Sequence, residues 1–172
     1  MSALVRISRR LHEVRPADAH LELPFETRCR SRFRAELSGG EAAGVFLERG
    51  QVLRGGDLLL ADDGRVVEVR AAAERVSTAR SPEALALLRA AYHLGNRHVA
   101  LQVGPGWLRY LHDHVLDEMV RGLGLQVETE WAEFEAEVGA YAAGHEAGHA
   151  HRHAHEHAHG TAHEAAHDHE GL

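Results

Sequence analysis

The sequence predicts an α+β protein: a small all-β N-terminal domain over residues 1–72, a ferredoxin-like βαββαβ domain over 73–142, and a disordered His-rich tail over 143–172. Three observations predict it. Short apolar runs with period two fill the chain through Arg70. From Ala73, runs of period two alternate with runs of period 3.6, the signature of strands mixed with helices. Beyond Tyr141 the chain is Ala, Gly, His and acid, with almost no apolar side chain larger than Ala. Such a segment buries too little surface to offset its ordering entropy.

In the first part, ALVRIS, HLEL, RFRAEL, GVFLE, DLLLA and RVVEVR are short runs divided by Gly, Asp and Pro. Asp62-Asp63-Gly64 between the last two is a hairpin signal, and the whole predicts a small barrel or sandwich. Alternation around Cys29 puts Cys29, Ser31, Phe33, Ala35 and Leu37 on one face of a strand. Arg28, Arg30, Arg32 and Arg34 fall on the other, as a solvated face or a docking face for an acidic partner.

The second part opens with RVSTA as a strand. Ser81-Pro82-Glu83 is a helix start, with Ser81 as N-cap and Pro82 in the first turn. Leu85, Leu88, Ala91 and Tyr92 follow at helical spacing, and Gly95 supplies the stop. HVALQV and WLRYL read as strands around the Gly104-Pro105-Gly106 turn. Leu116, Met119, Val120 and Leu123, with Val115 alongside, mark a second helix that Gly124 ends, and LQVETEW is the last strand. The order β-α-β-β-α-β is the ferredoxin-like motif.

A chain of 172 residues with net charge −7 does not have the basic surface of a general nucleic-acid binder. All 19 basic residues are Arg. Cys29 is the only cysteine, which excludes an intramolecular disulfide and a multi-thiolate site within one chain. The first residues lack an apolar signal core, and no apolar run approaches the ~20 residues of a membrane span. The expectation is a soluble, cytoplasmic protein with no membrane and no nucleic-acid partner.

Chemistry concentrates in HLGNRHVALQVGPGWLRYLHDH, which carries His93, His98, His112, Asp113 and His114. Imidazole and carboxylate suit borderline divalent metals such as Zn, Ni and Cu. With HVALQV and WLRYL paired, the Gly-Pro-Gly turn returns His98 towards His112 and His114. Those two form an H-x-H pair that shares one side in an extended segment and diverges in a helix. The alternative is Asp113 as a helix N-cap flanked by two surface histidines. His12, His20 and His93 show no ligand pattern. The tail carries His145, His149, His151, His153, His155, His157, His159, His163, His167 and His169. Many imidazoles on a flexible chain give a high local concentration of labile sites, each usable only when neutral, above a pKa of about 6.5.

LGNRHVALQ, LRYLHDHVLDEM, GAYA and the His-rich end resemble the UreE family of urease accessory metallochaperones. RCRSRFRAEL and RGQVLRGGDLLLADDG are similar to that family's N-terminal domain, so the resemblance covers nearly the whole chain. It implies the same two-domain fold, and nickel bound at a homodimer interface by the GNRH histidine, here His98. It implies peripheral sites at His112 and His114 in some members; Leu111 stands where some relatives carry a further His. The implied recipient is the urease apoenzyme with its other accessory proteins, including the accessory GTPase. Nickel comes from the resemblance alone, because imidazole ligands also take Zn2+ or Cu2+. Two other classes compete. A store relying on the tail would lose its capacity with the tail. A metal hydrolase using His98, His112 and Asp113 would need general-base machinery, and neither HExxH nor a nucleophile elbow is present.

Overall fold

A computed structural model describes residues 4–138 of the chain. The tail histidines from His145 to His169, and the expectation of disorder there, lie outside the described residues. Each of the six apolar runs of the first part is a strand: β1 (Val5–Leu11), β2 (Ala19–Leu23), β3 (Arg32–Glu36), β4 (Ala42–Phe46), β5 (Leu58–Ala61) and β6 (Val66–Ala71). They form one sheet in the order β2-β6-β5-β1-β4-β3, with β1–β4 and β2–β6 parallel. Leu21 and Leu23 of β2 share a core with Val45 of β4, Ile7 of β1 and Val69 of β6, so strands distant in that order enclose one interior. Its two edges approach where Ser38 N donates to His20 O (2.9 Å), and this near-closure leaves little free edge. The hairpin at Asp62-Asp63-Gly64 joins β5 to β6, with Gly64 at φ +92°.

The second part contains β7 (Ala73–Arg80), α2 (Ala84–Gly95), β8 (Gln102–Gly104), β9 (Trp107–Leu111), α3 (His114–Gly122) and β10 (Gln126–Glu133). The strands pair antiparallel in the order β10-β7-β9-β8. Ala90 and Leu94 of α2 and Val120 of α3 pack with Ala79, Leu108 and Tyr110 of the sheet. A two-domain α+β architecture results. Gly104 is needed at the β8–β9 turn, because a Cβ there would meet the Trp107 indole at 2.1 Å. Among the described residues no helix is long and apolar enough to cross a membrane.

Three expectations are corrected. The stretch around Cys29 is not a strand: Pro24 starts a helical turn, α1 (Phe25–Arg28), and β3 begins only at Arg32. Thr27 N and Arg28 N both donate to Pro24 O, and Glu74 of β7 accepts from Phe25 N at 2.7 Å. Arg28 therefore belongs to no exposed ladder. Its side chain is fully buried, while Arg30, Arg32 and Arg34 stay exposed. HVALQV supplies only two strand residues, Gln102 and Val103, because the turn leaving α2 occupies its start. The first long helix begins at Ala84, with Ser81 Oγ accepting from Glu83 N (3.1 Å) ahead of it.

Arg28 joins the two domains. Its guanidinium donates to Leu23 O (3.1 Å), Leu53 O (3.2 Å), Phe134 O and Glu135 Oε1 (2.8 Å). Beside it, Phe25 meets Phe134 edge-on at 5.1 Å between centroids. Glu135 also accepts from Arg54 Nη1 (2.9 Å) and Gly55 N (2.8 Å). Burial opposes ionisation of Glu135, but the Gly55 N–H and the Arg54 and Arg28 guanidiniums outweigh it and hold the carboxyl below its ordinary value of 4.5. A carboxyl lowered by folding contributes stability that is complete above the unfolded pKa and is lost as pH falls through the folded one. Urea midpoints followed from about pH 6 down to about pH 3 should fall less steeply below the ordinary carboxyl value in Glu135→Gln than in the wild type. Parallel curves would mean that this carboxylate does not contribute to acid sensitivity.

Candidate metal centre

His98 sits in the turn that ends α2, and its place follows from the backbone. Leu94 O accepts from Val99 N (3.2 Å) and Gly95 O accepts from His98 N (2.9 Å). This is the Schellman pattern, in which the residue after the C-cap takes the left-handed conformation and is usually Gly. Here that residue is His98, at φ +57°, the one non-Gly residue with positive φ among the described residues. An L side chain pays roughly 1–2 kcal/mol there, though His adopts it more readily than most. The His98 ring is exposed, and Arg97 Nη1 closes the helix end on His93 O (3.0 Å).

The helix leading to His98 is apolar on two sides. Ala90 and Leu94 face the core, with Ala86, Leu87 and Ala91 packed beside them. Leu85, Leu88 and Tyr92 do not join that core; they are 57%, 66% and 66% exposed. Residues i, i+3 and i+7 form one stripe along a helix. This stripe runs towards the turn that carries His98.

His112 and His114 flank Asp113, which is extended (φ −144°, ψ 121°) and caps α3 by accepting from Val115 N (2.8 Å) and Leu116 N (3.3 Å). His114 is the first helical residue and is exposed. The His112 ring turns inward: its Nδ1 lies 3.0 Å from Ser77 Oγ and 3.3 Å from Asp117 Oδ2. Asp117, only 2% exposed, also accepts from Tyr110 O–H at 2.9 Å. Burial first, and then the adjoining Asp117, push the Tyr110 phenol above its ordinary value.

Pairing across the Gly-Pro-Gly turn stops at Gln102↔Arg109, so the ladder does not extend back to His98. Among the described residues no three His, Cys, Asp or Glu side chains gather to hold a metal ion. The ladder therefore gives no support to the expectation that the turn returns His98 towards His112 and His114.

Two family models match the chain end to end. The UreE urease accessory protein N-terminal domain matches residues 6–72, and the UreE urease accessory protein C-terminal domain matches residues 74–170. The chain belongs to the UreE family. Urease accessory protein UreE of Alkalilimnicola ehrlichii is 60% identical over 138 residues, 80% of this chain and 85% of the relative. Those of Azotobacter vinelandii and Pseudomonas putida W619 are 58% and 53% identical, over 74% and 80% of this chain and 77% and 86% of their own. Neither UreE model is that of a catalytic family, and together they support the broad role of a urease accessory protein. The two matches meet between β6 and β7, where the first sheet ends and the second begins.

Sequence reasoning missed Ser77, Tyr110 and Asp117 in this UreE chain. A signal existed for Asp117: it stands three residues before Val120, on the buried side of α3, where a carboxylate needs partners. No local pattern marks Ser77 as the neighbour of His112, because 35 residues separate them.

Proposed function

We propose that the protein is a nickel metallochaperone for urease assembly, working as a cytoplasmic homodimer. The observation that carries this reading is His98 held exposed, in a left-handed backbone conformation, at the end of the exposed Leu85–Leu88–Tyr92 stripe. A backbone conformation that disfavours side chains is kept where the side chain has a task. An apolar helix face open to water calls for a covering surface. A second copy of the chain, related by a twofold axis, covers the stripe with its own α2 and brings two His98 imidazoles to one ion. Water and tail histidines complete the shell, and ion binding stabilises the dimer by mass action.

In this reading His112, His114 and the ten tail histidines from His145 to His169 are auxiliary ligands. The tail collects ions and the seam holds one tightly for transfer to apo-urease and its accessory proteins, among them the accessory GTPase. Zn2+ and Cu2+ fit the same donors, since nitrogen ligands do not choose among them. The second domain, taken as residues 73–142 between an N-terminal domain 1–72 and the tail 143–172, is read as ferredoxin-like from its strand order and two helices.

Calorimetric titration of the full chain with Ni2+ tests the proposal. One tight ion per two chains, absent in His98→Ala while the weaker tail sites persist, is the expected result. A titration unchanged in His98→Ala would remove His98 from the tight site and overturn the seam reading.

A further inference from the structure

His112 differs from the other candidate ligands in how its ring is held. His98 and His114 are exposed, and among the described residues no hydrogen bond fixes either imidazole. His112 is anchored at both ends. Its backbone N donates to Arg75 O of β7 (3.0 Å), and its Nδ1 faces Ser77 Oγ (3.0 Å), Asp117 Oδ2 (3.3 Å) and, more distantly, Thr129 Oγ1 (3.5 Å). The side chain is 21% exposed.

The donor count around Asp117 assigns the proton. A carboxylate only accepts, and Oδ1 already receives the Tyr110 O–H at 2.9 Å. Oδ2 has two facing groups: His112 Nδ1 at 3.3 Å, and Arg121 Nη2 at 3.8 Å, beyond hydrogen-bond reach. Ser77 Oγ can either donate to Nδ1 or accept from it, so the carboxylate decides: a lone pair on Nδ1 would be repelled by Oδ2 at 3.3 Å, whereas an N–H is attracted to it. In a neutral imidazole the other nitrogen then carries the lone pair, so Nε2, which has no hydrogen-bond partner among the described residues, becomes the donor atom. A histidine whose inner nitrogen faces a carboxylate while its outer nitrogen has no partner has the arrangement that fixes ring orientation and raises ligand basicity at metal sites.

We propose that Asp117, supported by Ser77 and Tyr110, is a positioning residue that locks His112 as a preformed Nε2 donor for a divalent metal ion. His112 is then the ordered half of the His112–His114 pair, and His114 adds to it from an unfixed side chain. This rests on the reading of His112 as a metal ligand. The effect is orientational: Asp117 lies behind the ring and touches no ion.

The test uses the full chain with 15N-labelled histidine and Ni2+ as probe. Two-bond nitrogen–proton spectra report the tautomer of each ring, and a His112→Gln sample assigns the signal. In metal-free wild type, His112 is expected as the Nδ1–H tautomer, unlike a free histidine, and Asp117→Asn should lose that fixed state. Paramagnetic broadening of the His112 signal should require about 10–100-fold more Ni2+ in Asp117→Asn, with the tail signals unchanged. A wild-type His112 showing Nε2–H or an averaged spectrum overturns the proposal, and this needs no variant, so it holds even if Asp117→Asn does not fold. Equal broadening in wild type and Asp117→Asn overturns the positioning role alone. A wild-type His112 that Ni2+ leaves sharp while its tautomer is Nδ1–H overturns the ligand reading beneath it.

Discussion

Replacing His98 by glycine should move stability and metal binding in opposite directions. The residue occupies the left-handed position of the turn after α2, at φ +57°, where glycine carries no Cβ penalty. Relief of that penalty is worth about 1 kcal/mol, which for a chain of this size raises the melting temperature by roughly 2–4 °C. The same change removes the imidazole at the proposed dimer seam. Nickel affinity for the tight site should fall by more than the ~10–100-fold that loss of a mere supporting contact costs at metal sites. Thermal unfolding without metal and calorimetry with Ni2+, on one pair of proteins, read both effects. A fall in stability would show that the histidine serves the turn itself; an unchanged tight site would remove His98 from the seam.

Arg28→Met should be the most destabilising single change in the described part of the chain. The guanidinium is fully buried and satisfies three backbone carbonyls, those of Leu23, Leu53 and Phe134, as well as Glu135. Removing it leaves Leu53 O and Phe134 O without a donor in a site from which water is excluded, leaves Leu23 O with only Ala72 N, and leaves Glu135 with only Arg54 and Gly55. Breaking a buried ion pair from one side costs about 3–5 kcal/mol, a fall of roughly 6–20 °C in melting temperature at this size. Because the contacts span both domains, the unfolding transition should broaden as the domains lose their coupling. Arg30→Ala is the control. Arg30 pairs with Glu26 four residues earlier on the exposed side of α1, and such a pair is worth about 0–1 kcal/mol. Similar losses in the two variants would contradict the account of Arg28 as the joint between domains.

The legible and illegible parts of the sequence divide by the range of the interactions that set them. Strands β1 to β6 were readable because alternation of apolar and polar residues is local, and an error of one residue would turn a whole strand inside out. Asp113 as the cap of α3 was readable for the same reason: its partners, Val115 and Leu116, lie two and three residues ahead. The stretch at Cys29 misled because alternation there is real, yet Pro24 and the cap from Glu74, 49 residues away, bend the chain into a helical turn. Leu85, Leu88 and Tyr92 were legible as a helical stripe but not as an exposed one, since α2 is apolar on both sides and the sheet covers only one.

By itself, the sequence determined that this chain is a two-domain α+β member of the UreE family, and it singled out His98, His112 and His114 as candidate ligands. Those conclusions rest on residue types at short spacing, which folding does not alter. Only the tertiary structure decided that Arg28 is the joint between domains, that His98 stands in a left-handed turn, and that His112 is held from behind by Asp117. The reason is separation. Arg28 and Phe134 are 106 residues apart, and His112 and Ser77 are 35 apart. A buried charge or an oriented imidazole is set by whichever donors and acceptors the fold brings beside it.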